Sequence, residues 1–116
     1  MLSPREQALE TTLYKSRAIL RLLDSEAVIS PEDIEVDGAH LGDGYGIPTP
    51  EMLSAVRTLA RTEGLLLDPV YTGKAFGGLL SDLKANRYAR GERLLFVMTG
   101  GAPGLFAYRR AFEHKT

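Results

Sequence analysis

Leu94-Leu95-Phe96-Val97-Met98-Thr99-Gly100-Gly101 is the stretch on which the reading of the fold turns. Its five leading residues are all apolar and leave no polar face. That pattern suits a strand covered on both sides in a parallel sheet better than one with a wet face. Arg90-Gly91-Glu92 supplies a turn before the run, and Thr99 ends it. Gly100-Gly101-Ala102-Pro103-Gly104 then makes a glycine turn ahead of a last helix through Leu105, Tyr108 and Phe112.

Upstream, Phe76, Leu79, Leu80 and Leu83 form the apolar stripe of a third helix, approached through Asp68-Pro69-Val70-Tyr71-Thr72-Gly73-Lys74. Gly77 and Gly78 each cost that helix ~1 kcal/mol relative to alanine, and they permit close approach to another backbone. Thr49-Pro50-Glu51 starts a second helix with Leu53, Val56, Leu59 and Ala60 on one face and Gly64 as its C-terminal cap. Gly38 to Pro50 is rich in glycine and proline, so neither helix nor ladder runs through it. Ile34-Glu35-Val36 alternates like a short strand after a turn at Ser30-Pro31-Glu32-Asp33. The first helix has a complete start signal, with Ser3 as N-cap, Pro4 at its first position and Glu6 closing a capping box. Leu9, Leu13, Ile19, Leu20, Leu22 and Leu23 give it an apolar stripe that fades by Asp24 or Ser25.

This order predicts an α/β fold, a partial three-layer sandwich. A buried parallel strand needs parallel neighbours and helices on both faces, and the chain supplies few candidates. Residues 1–116 therefore read as part of a larger α/β domain. At 116 residues the chain is at most one domain, and 44% apolar with 25% charged residues is ordinary globular composition. Fourteen basic residues against fifteen acidic ones leave a formal charge of -1, no footprint for nucleic acid or an anionic membrane. The absence of cysteine excludes disulfides, a zinc–thiolate cluster and a thiol nucleophile. No stretch approaches the ~20 consecutive apolar residues of a membrane span. The first residues lack a signal-peptide pattern, so the expected location is cytoplasmic.

Three loops are candidates for ligand contact: Gly44-Tyr45-Gly46-Ile47-Pro48, Asp68 to Lys74, and Thr99-Gly100-Gly101. Each places a hydroxyl beside glycine, and ligands of open α/β sheets gather beyond the strands' carboxyl ends. From local sequence alone the plainer reading, a turn, is favoured for each. Lys74 invites the role of an imine-forming lysine, but a structural or ion-pairing role is favoured; Lys15, Lys84 and Lys115 read as solvated. The Gly100–Gly104 turn matches neither the Walker pattern nor the dinucleotide fingerprint. His40 and His114 are too isolated in sequence to suggest a metal site, and His40 reads as exposed or structural.

Three long segments stand in register with a known family. They are Gly44-Tyr45-Gly46-Ile47-Pro48-Thr49-Pro50-Glu51, Glu63-Gly64-Leu65-Leu66-Leu67-Asp68-Pro69-Val70-Tyr71-Thr72-Gly73-Lys74-Ala75, and Thr99-Gly100-Gly101-Ala102-Pro103-Gly104-Leu105-Phe106-Ala107-Tyr108. In order and spacing they resemble the C-terminal portion of the D-cysteine desulfhydrases and aminocyclopropane-carboxylate deaminases, pyridoxal-phosphate (PLP) enzymes with the tryptophan-synthase β-like fold. The resemblance implies that the chain is a C-terminal fragment of that fold's large domain. The family's Schiff-base lysine and phosphate loop lie upstream of the matched region and have no counterpart here.

The resemblance implies catalytic roles for Tyr45 and Tyr71 and cofactor contacts for Thr72, Thr99 and Gly100, with Thr99 facing the pyridine nitrogen. Deaminases of the group carry glutamate after the second tyrosine, whereas desulfhydrases carry a small hydroxyl residue, so Thr72 together with Thr99 favours the desulfhydrase side. The implied reaction converts D-cysteine to pyruvate, ammonia and sulfide. The implied partners are a small amino-acid substrate and a missing N-terminal half or homodimer partner. The chain by itself is expected to be inactive. A deaminase-like fragment, a non-catalytic fragment and an independent binding module remain the alternatives, with exposed apolar surface favouring a fragment.

Overall fold

Local chemistry sets each helix of the chain. In a computed structural model, which describes residues 1–113, the first helix α1 is Pro4–Leu22. Its capping box is complete: the Glu6 amide donates to the Ser3 hydroxyl at 3.2 Å, and the Ser3 amide donates to the Glu6 carboxylate at 2.7 Å. The readings of His114 and Lys115 fall outside the described residues. The chain divides into two compact units, Met1–Gly38 and a second from Ala39 onward.

In the first unit α1 leads through a turn at Asp24 and an extended segment to a 3-10 turn, Pro31–Asp33. Arg17 ties the extended segment back to the helix by donating to the Ile29 carbonyl at 3.1 Å. Leu9, Leu13, Ile19 and Leu20 are only half-buried, and no residue of α1 is fully buried.

The second unit is organised on two helices, α2 (Pro50–Glu63) and α3 (Thr72–Lys84). Thr49 caps α2 by accepting from the Met52 amide at 3.1 Å, and Gly64 ends it in the left-handed region at φ 67°. The buried face of α2 is Met52, Ala55 and Val56, with Leu53 and Leu59 half-buried, so it is rotated from the face expected. Leu67 completes the small apolar core with Met52 and Val56.

What α3 presents to α2 is the surface of its glycines. A Cβ on Gly73 would lie 2.6 Å from the Asp68 carbonyl oxygen and within 3.0 Å of Met52 and Val56. One on Gly77 would lie 3.2 Å from the Glu51 carbonyl oxygen. These positions are one helical turn apart and share a face. Gly78 instead makes room for the His40 ring. The predicted stripe of α3 is less covered: Phe76, Leu79 and Leu80 are half-buried and Leu83 is exposed.

The α/β expectation does not hold. The described residues contain helices and 3-10 turns and no strand, so the chain is not a three-layer sandwich. Neither Ile34-Glu35-Val36 nor Leu94–Met98 is a strand. Leu94, Leu95, Val97 and Met98 are 43–68% exposed. Only Phe96 turns inward, its ring meeting Phe76 edge-on at 5.2 Å between centroids. The physical reason is direct: a strand exists through its ladder, and no described segment offers 94–98 a second strand. After Gly101 at φ 91°, Ala102–Tyr108 is a 3-10 helix and Arg109–Glu113 a short α-helix, α4, where one continuous helix was expected. Among the described residues no helix is long and apolar enough to cross a membrane.

The two glycine environments give a stability test. Gly73→Ala should lower unfolding free energy by ~2–3 kcal/mol, since the added carbon meets backbone and core on three sides. Gly64→Ala meets nothing within 4 Å and carries only the cost of its positive φ, ~1 kcal/mol. Denaturant melts of both variants should rank them in that order.

Candidate functional site

The segment Asp68 to Thr72 is a turn built around one carboxylate. Asp68 is 3% exposed, and its Oδ2 accepts from the amides of Val70 at 2.9 Å and Tyr71 at 2.6 Å. Its Oδ1 accepts from the Thr72 amide at 2.8 Å and the Thr72 hydroxyl at 2.5 Å. The Thr72 hydroxyl in turn accepts from the Asp68 amide at 3.1 Å. Burial works against the charge on Asp68. The Thr72 hydroxyl and the amides of Tyr71, Thr72 and Val70 outweigh it and hold the carboxyl below the usual aspartate range. These donors sit at the start of α3, where a negative charge also suits the helix dipole.

In the first turn of α3, Lys74 is 8% exposed and reaches into the glycine loop. Its Nζ donates to the Leu41 carbonyl at 2.7 Å and the Gly44 carbonyl at 3.0 Å. From the far side of the sequence, the Tyr108 hydroxyl donates to the Gly46 carbonyl at 2.6 Å. Gly42 and Gly46 both sit at φ 72°, a conformation that suits glycine. A loop with no ladder is thus fastened by side-chain donors at carbonyls on both sides of Tyr45.

The outcome is a phenol pair. The hydroxyls of Tyr45 and Tyr71 are 2.5 Å apart, and the rings meet edge-on with centroids 5.9 Å apart. The hydrogen bond with Tyr45 raises the Tyr71 pKa above the ordinary tyrosine value, and partial burial, the Tyr45 charge and the Asp68 carboxylate push the same way. The shift makes Tyr71 a weaker acid than an ordinary tyrosine, so it keeps its proton and offers its hydroxyl as a hydrogen-bond donor. The rings are 80% and 60% exposed, so solvent reaches both.

The first two candidate loops meet at this pair. The third reaches the same neighbourhood through Gly101, where a Cβ would lie 3.1 Å from the Asp68 Cβ. Thr99 and Gly100 are exposed, Gly100 at φ 93°. Thr72 is buried with its hydroxyl engaged by Asp68. Asp68 was not singled out from sequence, although an aspartate starting a proline turn before a helix is a recognisable cap signal. Tyr108 stood in an apolar stripe and at the end of the third family-like segment without a role of its own, and no local pattern could have exposed its bond to Gly46. His40 has a structural setting: its Nδ1 lies 3.2 Å from the Glu51 carboxylate, and its ring rests on Gly78.

The implied cofactor needs a lysine for its imine, and the described residues do not meet that need. Lys74, the one buried lysine among them, has its Nζ committed to two backbone carbonyls beneath the loop. Lys15 and Lys84 are exposed on α1 and at the end of α3. With the Thr72 hydroxyl also engaged, these residues do not on their own assemble a PLP site.

The Asp68 turn predicts a signed pH dependence. An aspartate with a depressed folded pKa stabilises the fold above its unfolded value of ~3.9, and this contribution is lost as pH falls through the lower folded value. Acidification from about pH 5 towards pH 2 should therefore lower the melting temperature. Asp68→Asn should be less stable at neutral pH by ~2 kcal/mol, since charge-assisted bonds are lost, and should show a flatter acid slope. Circular-dichroism melts across that range test both.

Beyond the geometry, the family model described as "Pyridoxal-phosphate dependent enzyme" matches residues 3–100. That match takes in α1, α2, α3 and the loops carrying Tyr45, Tyr71 and Thr99, and on it the chain belongs to the family of pyridoxal-phosphate dependent enzymes.

Proposed function

We propose that this chain supplies the substrate-side wall of a PLP-dependent carbon–sulfur lyase that converts D-cysteine, or a close sulfur-containing relative, to pyruvate, ammonia and sulfide. The observation that carries the reading is the contact between the Tyr45 and Tyr71 hydroxyls. It joins two motifs that resemble those of D-cysteine desulfhydrases, far apart in sequence. In this reading the imine-forming lysine and the phosphate contacts come from a complementary portion of the fold, and the cofactor supplies the electron sink when bound. The enzyme works in the cytoplasm, a setting with which the absence of cysteine agrees.

The chain's own contribution is proton placement. Tyr71 keeps its proton, so its Oη is placed to donate a hydrogen bond to a departing sulfur, and Tyr45 orients that hydroxyl through the shared hydrogen bond. Thr99 and Gly100, exposed and next to the Asp68–Gly101 contact, remain the proposed contacts to the cofactor ring. Thr72 favours the desulfhydrase over the deaminase reading. Its hydroxyl donates to the Asp68 carboxylate, and a glutamate there would set a second negative charge against it.

A fragment that needs a complement fits better than an independent binding module. Leu94, Leu95, Val97 and Met98 are exposed in a segment that is not a strand, and a complementary portion of the enzyme would cover them. The purified chain mixed with PLP should give neither an imine absorbance band nor pyruvate from D-cysteine. Pyruvate formation that disappears in Lys74→Ala would restore Lys74 as the imine lysine and sink this assignment. In an enzyme complemented by the N-terminal portion of a family desulfhydrase, Tyr71→Phe should lower kcat ~100-fold or more while leaving the melting temperature nearly unchanged. Unchanged rates in both Tyr71→Phe and Tyr45→Phe would mean that the phenols only pack their loops.

A further inference from the structure

We propose that Asp68 and Lys74, two buried charges flanking Tyr71, are positioning residues that jointly set the Tyr45–Tyr71 phenol pair. The proposal rests on reading those phenols as the substrate-facing groups. Neither charge touches the paired hydroxyls through a described bond; each holds the backbone that carries one ring, and the Asp68 charge also bears on the Tyr71 phenol.

Asp68 governs the Tyr71 side. Its carboxylate gathers the amides of Val70, Tyr71 and Thr72, so the direction in which the Tyr71 side chain leaves the chain is fixed at three consecutive residues. Lys74 governs the Tyr45 side. Of the two carbonyls that its ammonium holds, that of Gly44 belongs to the peptide unit joining Gly44 to Tyr45. The ammonium thus grips the peptide from which Tyr45 springs, while Tyr108 fixes the Gly46 carbonyl on the other side.

Because Lys74 lies one turn beyond Tyr71 on α3, the helix start that presents one phenol also fastens the loop that presents the other. Any displacement of α3 therefore carries both rings together. Packing alone does not call for an ammonium here. Burying a charge is costly unless it is well bonded, and a methionine would fill similar volume without that cost. The return on a lysine is a directed grip on two loop carbonyls.

The groups facing the Tyr71 hydroxyl region are the Tyr45 phenol and the Asp68 carboxylate, with the Lys74 ammonium beneath the adjoining loop. The test is a site-resolved tyrosine titration of the full chain by 13C NMR, comparing the unaltered chain with Lys74→Met and Asp68→Asn. With Tyr45 paired, Tyr71 should titrate above ~10; in each variant its midpoint should fall back towards that ordinary value, while far-ultraviolet circular dichroism keeps the helix signal. In Asp68→Asn the loss of the carboxylate's charge lowers the midpoint by itself, so Lys74→Met is the deciding variant: there a purely structural role would lower the melting temperature and leave the midpoint where it was. A raised midpoint retained in folded Lys74→Met would therefore overturn the proposal.

A second measurement covers the case of a variant that fails to fold. In the unaltered chain the Lys74 Nζ protons, followed by 15N NMR of the lysine side chains, should exchange with solvent far more slowly than those of Lys15 and Lys84. Equally fast exchange at all three would refute the grip on the loop. Neither readout contains amino acid or cofactor. If Tyr71→Phe keeps full rates in the complemented enzyme, the functional reading fails and the positioning role stands.

Discussion

A single carboxylate organises the second unit. Asp68 enters a nearly water-free position and keeps its charge because four donors from the next turn of chain converge on it. Three of those are amides at or just before the start of α3, where a helix otherwise leaves its N–H groups unsatisfied. By taking them up, Asp68 starts α3, seats Gly73 against its own carbonyl, and brings the helix close enough for Met52 and Val56 to close the core with Leu67. The same turn aims Tyr71 at Tyr45. Stability of the helix pair and placement of the phenols therefore share one origin, and a substitution at Asp68 cannot touch one without the other.

The helix boundaries were legible in sequence because their signals are local. Ser3-Pro4 with Glu6, Thr49-Pro50 and Gly64 each declare a cap through side-chain chemistry within a few residues, and the helices begin and end there. The same holds for the small residues of α3: glycine inside a helix is unfavourable unless something presses on it, and Glu51 and His40 do. The buried strand at 94–98 failed for the opposite reason. Its apolar run reports the environment that the segment suits, and whether a ladder forms depends on partners that no local pattern encodes.

The site was legible in part. Tyr45 and Tyr71 stood out as phenols in glycine turns, and they meet in space. What the residue pattern could not give is the fastening. A structural role for Lys74 was expected, but its partners could not be named, because the carbonyls it binds lie some thirty positions upstream in a loop without periodicity. Tyr108 reaches Gly46 across an even longer separation. Side-chain-to-carbonyl bonds of this kind leave no spacing signature, since any lysine or tyrosine of suitable reach can make them. In this chain they substitute for the ladder hydrogen bonds that the loop lacks.

The exposed segment at 94–98 has a further consequence for how the chain behaves in a crowded solution. Leu94-Leu95-Phe96-Val97-Met98 is uncharged, free of proline and glycine, and strongly disposed to extended backbone, the composition of segments that stack into cross-β assemblies. Copies meeting at this segment have unpaired amides and carbonyls to offer each other, which is the hazard of any open edge. The flanks oppose it: Arg90, Glu92 and Arg93 place charge at one end, and Gly100, Gly101 and Pro103 break the extended backbone at the other. Such gatekeepers keep a sticky segment short without removing it. The segment that a complementary portion would cover is thus also the one through which unaccompanied chains would associate, so self-association and rightful assembly would compete for the same five residues.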